Sequence, residues 1–143
     1  MKEYTPEYLK LIRDIIERRD DEAARRELAG LHPADIAELY ENLHEDEAEY
    51  LYKLLDDEQA ADVLIELDED DRKELLSDMP VEDIAKQIDH LDTDDAVDII
   101  KELDEEDRDE ILSHIDDVEQ AGDIIDLLKY DEDITLQKKL VKL

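Results

Sequence analysis

Carboxylate side chains spaced four residues apart are the residues of this sequence with the clearest capacity for chemistry. Asp94 and Asp98 form one such pair, with Asp95 beside it, and Glu58 and Asp62 form another earlier in the chain. Residues four apart are neighbours on a helix, and two like charges there repel by about 0.2–0.5 kcal/mol unless a cation lies between them. Oxygen ligands on an open face suit Mg²⁺, which keeps several of its waters and takes one or two carboxylates.

The same spacing recurs elsewhere, which weakens the metal interpretation of any single pair. Asp70 with Glu74 and Glu106 with Glu110 repeat it. A solvated acidic helix face accounts for all of these pairs as well as a metal site does. The residues alone therefore indicate a surface that collects cations, and they leave open whether any pair is a specific site.

Net charge is the strongest compositional feature. The chain has 143 residues with 48 acidic and 17 basic side chains, a formal net charge of −31. Residues 31–128 hold 37 of the acidic and six of the basic side chains, and so carry the whole net charge. Such a surface repels nucleic acid and anionic lipid headgroups. We expect no nucleic-acid partner and, because no apolar run approaches the ~20 residues of a transmembrane helix, no direct membrane insertion of this chain.

The inventory of reactive side chains speaks against an enzyme. Cysteine is absent, and the only serines, Ser77 and Ser113, lack the neighbouring glycines of a nucleophile elbow. Gly30 and Gly122 are the only glycines, so no glycine-rich loop is available to cradle a phosphate. The four histidines are scattered, without the paired spacing of a zinc site. We therefore predict no catalytic residues and no organic cofactor.

The elements that carry these side chains repeat every twelve residues from His32 onward. Apolar residues favour the fifth, eighth, ninth and twelfth positions of each block, which is the stripe of an amphipathic helix. In the block 92–103 these residues are Ala96, Ile99, Ile100 and Leu103. Twelve residues give roughly two and a half helical turns and a tight corner, and helices this short need stacking to be stable.

Residues suited to helix N-termini mark the starts of the blocks. Pro80 opens one block, and proline suits a first helical turn. An aspartate, whose carboxylate can accept the unpaired N–H groups of a first turn, opens five of the eight blocks: Asp56, Asp68, Asp92, Asp104 and Asp116. The pattern predicts an all-α fold, a right-handed superhelix (an armadillo-like solenoid) of short helices of ~12 residues.

Three segments follow from the patterns. Residues 1–30 are expected to form N-terminal helices near 6–19 and 22–28, the first of them a capping helix, that pack on the solenoid. Residues 31–130 form the acidic helical repeat domain, and residues 131–143 form a C-terminal tail.

Four stretches of sequence resemble the MgtE intracellular N domain. The stretch LHPADIAEL at 31–39 resembles the family's opening signature. Three further stretches follow in the family's order: AADVL at 60–64, DTDDAVD at 92–98 and LLKYDED at 127–133. The resemblance covers about residues 5–135. Beyond it the tail diverges from the family, which continues into CBS domains, so we expect either an isolated domain or a divergent reading frame near Asp133.

The resemblance implies a cytosolic regulatory domain that senses Mg²⁺ for a magnesium transporter or channel of the bacterial inner membrane. In that family CBS domains and a transmembrane domain, both absent from this chain, complete a homodimer whose pore closes when Mg²⁺ binds at acidic interfaces. The family's Mg²⁺ ligands in this domain fall on Asp62, Asp94 and Asp98, with Asp95 as an adjunct. Mg²⁺ is thus the implied cofactor and the cytoplasm the implied location.

A free-standing helical scaffold that binds proteins is the alternative, because flagellar-motor switch proteins use a related armadillo-like superhelix. A neighbouring gene that encodes CBS and transmembrane segments would favour the transporter. Capture of a protein partner independently of cations would favour the scaffold.

Overall fold

Ten α-helices and no strand occur in residues 5–141, which a computed structural model of the chain describes; side chains are described for residues 5–129. The helices are α1 (Pro6–Glu17), α2 (Asp21–Ala29), α3 (Pro33–Glu41), α4 (Glu45–Lys53), α5 (Asp57–Glu66), α6 (Glu69–Ser77), α7 (Val81–Asp89), α8 (Thr93–Lys101), α9 (Glu105–Ser113) and α10 (Val118–Val141). They divide into two compact units, Met1–Met79 and Pro80–Leu143. The all-α prediction is confirmed, and the superhelical arrangement stays a prediction.

The twelve-residue repeat sets where the short helices begin. Seven consecutive helices, α3 to α9, start twelve residues apart, at Pro33, Glu45, Asp57, Glu69, Val81, Thr93 and Glu105. Each is nine or ten residues long, so two or three residues form each corner between them. Pro80 stands one position before the first turn of its block, as the N-cap residue of α7.

Aspartates cap three of these helices as the sequence predicts. The carboxylates of Asp56, Asp68 and Asp104 each accept the backbone N–H three residues later, at 2.7, 2.9 and 3.0 Å respectively. A cap of this kind is worth about 1 kcal/mol of stability. The caps therefore help to fix the register of α5, α6 and α9.

Two of the predicted caps are wrong. Asp92 occupies the N-cap position of α8, but in the described part of the chain its side chain accepts no cap hydrogen bond. At the start of α10 the capping residue is Asp117 and not the predicted Asp116. Asp117 Oδ1 accepts the N–H groups of Glu119 and Gln120 at 3.1 and 3.2 Å. The reason is that α10 begins one residue later than the twelve-residue spacing requires.

In the first unit, helices two places apart in the chain pack directly against each other. α3 packs on α5 and α4 on α6, while α1 contacts both α2 and α4. Fully buried side chains between them include Ile12, Ile36, Leu39, Leu51 and Leu64. Burying each of these side chains stabilises the fold by about 1.5–3 kcal/mol, which compensates for helices too short to persist alone.

The second unit repeats this packing of helices two places apart. α7 packs on α9 and α8 on α10, around Ile88, Ile100 and Ile124. Gln120 of α10 ties the corner between α7 and α8 to the core. Its Nε2 donates to the Leu91 carbonyl at 2.9 Å, and its Oε1 accepts from the Thr93 hydroxyl at 2.9 Å.

Two arginines thirty-six residues apart fasten equivalent corners. Arg72 donates from Nη2 to the Leu67 carbonyl at 2.8 Å and from Nε to the Leu64 carbonyl at 3.1 Å. Arg108 donates from Nε to the Leu103 carbonyl at 3.1 Å. Carbonyls at a helix end lack helical partners, so each guanidinium closes a corner that the short helices leave open.

The two ends of the chain differ from the repeat. The helices predicted near 6–19 and 22–28 are present as α1 and α2. The last repeat does not end at residue 127, because α10 continues to Val141 through a sequence with no glycine or proline after Gly122. The predicted tail, residues 131–143, therefore continues this helix as far as 141, and its side chains and residues 142–143 lie outside the described residues.

Candidate cation-binding site

The four carboxylates predicted from the sequence lie on two helices. Asp62 is an exposed residue of α5 in the first unit. Asp94 and Asp98 are exposed on α8 of the second unit, one turn apart, and Asp95 beside them is half-buried. Their helix turns its other side, which includes Ile100, into the core. The structure thus brings the three α8 carboxylates onto one helix, as predicted, and Asp62 belongs to the other unit.

A second group of carboxylates, which the sequence did not single out, converges between α4 and α6. Glu45 and Glu49 lie one turn apart on α4, and Asp78 is the C-cap residue of α6. One carboxylate oxygen from each of the three lies within 4.8 Å of the others. We call these three residues the α4–α6 cluster.

The close approach of the acidic side chains raises the pKa values of two members of the α4–α6 cluster, Glu45 and Glu49. A hydrogen bond shared with Glu74, together with partial desolvation and the nearby charge of Asp78, raises the pKa of Glu45 from 4.5 to about 7. A shared hydrogen bond with Asp78 is the largest cause that raises the pKa of Glu49, and Lys53 opposes this only in part. The pKa of Glu45 thus lies near neutral pH, and that of Glu49 is raised in the same direction.

Another acidic group lies next to it. Glu41 at the end of α3, Asp68 and Asp71 also place one carboxylate oxygen each within 4.8 Å of the others. Desolvation, followed by the charges of Asp68 and Glu41, raises the pKa of Asp71. Asp68 in this group already accepts the N–H of Asp71 as a helix cap, so part of its binding capacity serves the fold.

Some members of both groups line an open groove of about 120 Å³, whereas Asp78 and Asp68 are not part of its lining. Its polar lining consists of Tyr40, Glu41, Glu45, Glu49, Asp71 and Glu74, and we call it the acidic groove. Two buried oxygen atoms of this lining, the Tyr40 hydroxyl and Glu49 Oε1, have no hydrogen-bond partner among the described residues. Such atoms are rare in folded proteins, where water or an ion commonly satisfies them.

The sequence contains the acidic pairs of this group, but it shows each pair only on its own helix. Glu45 with Glu49 and Glu74 with Asp78 have the same four-residue spacing as the predicted pairs. What the sequence did not show is that α4 packs on α6, two helices later. That packing sets one pair against the other.

In the described part of the chain, every helix is too short or too polar to cross a membrane. A bilayer requires about 20 predominantly apolar residues.

The fold and its acidic surface define an all-α helical-repeat domain rich in candidate cation ligands. Its sequence matches the family model of the MgtE intracellular N domain over residues 31–133, and the chain belongs to that family. The resemblance predicted from the sequence is confirmed. That family is a domain of a magnesium transporter.

A solved structure supports the same assignment. The crystal structure of the soluble part of a magnesium transporter matches with a TM-score of 0.74 at 27% sequence identity, over 85% of this chain and 48% of that chain. This chain therefore spans about half the length of that structure. A search of curated proteins found no match.

Proposed function

We propose that this domain senses Mg²⁺ for a magnesium transporter of the MgtE type, and that Mg²⁺ bound to its acidic faces favours the closed pore. The family match over residues 31–133 is the observation that carries this proposal. The likeness to the soluble part of a magnesium transporter adds to it. In this proposal the domain acts at the cytosolic face of the bacterial inner membrane, together with CBS and transmembrane domains in a homodimer.

Charge repulsion supplies the physical mechanism. With a formal charge of −31, this domain repels any other acidic surface near it when cations are scarce. Mg²⁺ held between carboxylates removes that repulsion. Because the ion binds the compact arrangement better than the loose one, it shifts the population toward the compact arrangement.

The proposed ligands for this regulatory function are Asp94 and Asp98, with Asp95 as an adjunct and Asp62 on the other unit. Asp94, Asp98 and Asp62 are exposed, so each can reach an ion whose remaining ligands come from water or from another domain. Mg²⁺ commonly keeps several waters and takes one or two carboxylates. An open helix face is sufficient for this mode of binding.

Thermal unfolding at constant ionic strength tests the proposal. We expect millimolar MgCl₂ to raise the midpoint of the intact chain well above matched NaCl, and we expect Asp94→Asn/Asp98→Asn to lose most of the excess. Glu106→Gln/Glu110→Gln on α9 is the matched control, since it removes two charges at the same spacing. If Mg²⁺ and matched NaCl act alike on all three proteins, this domain does not sense Mg²⁺ on its own.

A further inference from the structure

We propose that α10 carries a docking surface for a second copy of this chain, with the two α10 helices packed antiparallel. The surface is an apolar stripe of Val118, Ala121, Gly122 and Ile125, which we call the α10 stripe. It goes beyond the proposed function, because it requires neither Mg²⁺ nor any domain outside this chain. The whole stripe lies in the second compact unit.

Two large apolar side chains of the α10 stripe are exposed to solvent. Val118 is 82% exposed and Ile125 37% exposed. Together with Ala121 and Gly122 they have the spacing i, i+3, i+4, i+7, which places all four residues on one face of the helix. A different face of α10 carries the buried Ile124 and packs in the unit. The described part of the chain therefore covers one apolar side of α10 and leaves the other uncovered.

Gly122 is a glycine that the described part of its own chain does not require. Glycine weakens a helix interior relative to alanine. The φ of Gly122 is not positive, and a Cβ at this position would meet nothing within 4 Å. A glycine in such a place lets the backbone of another helix approach closely, and the distance between packed helices depends on the side chains at their contact. Gly122 thus suits a partner helix that packs on the α10 stripe.

Opposite charges at the two ends of α10 select a second copy as that partner. Residues 116–126 contain five acidic side chains and no basic one, whereas residues 134–143 contain three lysines and no acidic side chain. The helix is continuous from Val118 to Val141. In an antiparallel pair the acidic start of each helix therefore lies alongside the basic end of the other, and the two-fold symmetry makes this match twice.

The same charges exclude a parallel pair, which would set acidic start against acidic start. They also explain how two copies of an acidic chain can meet at this helix. Residues 129–143 carry four basic and three acidic side chains, so this end does not share the strong net negative charge of the chain. Repulsion between two copies is therefore weakest where the basic ends take part in the contact.

Sedimentation velocity of the intact chain over a range of concentrations tests for the pair. EDTA removes divalent cations, and an ionic strength of about 0.15 M reduces the Debye length to about 8 Å, which screens the general repulsion between copies. We expect a reversible equilibrium between monomer and dimer. A chain that stays monomeric up to about 1 mM overturns the proposal and leaves the proposed Mg²⁺ function standing.

Gly122→Leu separates the interface from the fold. The new side chain meets open space in its own chain, and leucine favours a helix over glycine. We therefore expect unchanged or higher helix content by circular dichroism, with dimerisation weakened by about tenfold or more. Val118→Gln/Ile125→Gln should weaken dimerisation to a similar extent. Leu11→Gln, at a 47% exposed position of α1, is the matched control and should leave it unchanged. Equal association of all these variants overturns the proposal.

A charge exchange tests the antiparallel orientation. Lys138→Glu/Lys139→Glu should weaken dimerisation, because it sets acidic residues against the acidic start of the partner helix. Adding Glu119→Lys/Asp123→Lys restores the net charge of the original chain and should restore dimerisation, since the two ends again have opposite charges. Weak association that persists in the fourfold variant overturns the antiparallel pairing.

Disulfide trapping gives an independent measure of orientation, because the chain has no cysteine. In an antiparallel pair the two copies of residue 118 lie at opposite ends of the contact, too far apart for a disulfide. Val118→Cys should therefore cross-link no faster than Leu11→Cys, which is exposed outside the α10 stripe. Faster cross-linking at position 118 would show a parallel pair and overturn the proposal.

Discussion

The rings of Tyr40 and Tyr52 meet edge to face, with 6.2 Å between their centroids and 67° between their planes. The two hydroxyls have different surroundings although both are buried. Tyr52 donates to the Ala60 carbonyl at 3.2 Å, and the Tyr40 hydroxyl has no partner among the described residues. The Tyr52 hydroxyl is therefore satisfied within the core, and the buried Tyr40 hydroxyl is not satisfied by any described residue.

This difference predicts opposite effects of removing the two hydroxyls. In metal-free buffer Tyr52→Phe should lower the free energy of unfolding by about 1 kcal/mol, because it removes the hydrogen bond from the Tyr52 hydroxyl to the Ala60 carbonyl. Tyr40→Phe should leave stability unchanged or raise it by up to about 1 kcal/mol, since the hydroxyl it removes has no partner to lose. Urea unfolding with EDTA present measures both. Equal losses of unfolding free energy in the two variants would contradict the difference between a bonded Tyr52 hydroxyl and an unbonded Tyr40 hydroxyl.

The raised pKa of Glu45 predicts a pH dependence of stability. Its folded pKa of about 7 exceeds the ordinary 4.5, so the folded state binds more protons than the unfolded state between these values. Proton binding to Glu45 therefore stabilises the folded state. This contribution to the free energy of unfolding is fully present below about pH 4.5 and is lost as the pH rises through 7.

Unfolding midpoints measured with EDTA from pH 5 to 8 test this expectation. Glu45→Gln should flatten the decline, because the amide does not titrate. Glu106→Gln is the control for general charge repulsion, since it removes one exposed acid elsewhere. A decline equally steep in Glu45→Gln and Glu106→Gln would show that Glu45 does not titrate near neutral pH.

The corner that Arg72 closes should depend on the guanidinium and not on charge alone. Lysine cannot donate along two directions to the Leu64 and Leu67 carbonyls, so Arg72→Lys should destabilise the first unit by about 1–3 kcal/mol. Lys73→Ala, which removes only an exposed pair with Glu69, should cost about 0.5 kcal/mol or less. Thermal or urea unfolding compares the two variants. Similar losses of stability would contradict a structural role of the Arg72 guanidinium at this corner.

The corrected cap of α10 gives a direct comparison between adjacent residues. Asp117→Ala removes the acceptor of two backbone N–H groups and should cost about 1 kcal/mol. Asp116→Ala removes a side chain that does not cap the helix and should cost clearly less. Unfolding free energies of the two variants decide between them, and a larger loss at Asp116 would restore the original prediction.

Local chemistry made the helices predictable. Apolar spacing and cap residues located α3 to α9 because each short helix carries its own stripe and start signal. The prediction failed at the cap of α8, where Asp92 stands in the regular spacing but accepts no cap hydrogen bond, and where the spacing itself changed, at Asp116 and at the end of the last repeat. There a shift of one residue and an uninterrupted helical sequence outweighed the period.

Spacing along the sequence could not predict the acidic groove. Glu45 and Glu49 look like any solvated pair along the sequence, and so do Glu74 and Asp78. Their significance comes from α4 packing on α6, which is a contact between distant residues. A buried hydroxyl without a partner, such as that of Tyr40, is likewise visible only once the core is assembled.

The equal spacing of the helix starts limits how this domain can change over evolutionary time. Seven helices begin twelve residues apart, and the corners between them are only two or three residues long. An insertion of a few residues would therefore shift the next helix out of its packing register. Loss or duplication of a whole twelve-residue block at a corner keeps every other apolar side chain in register. We therefore expect relatives to differ in length by whole blocks, so that the domain is lengthened or shortened one helix at a time.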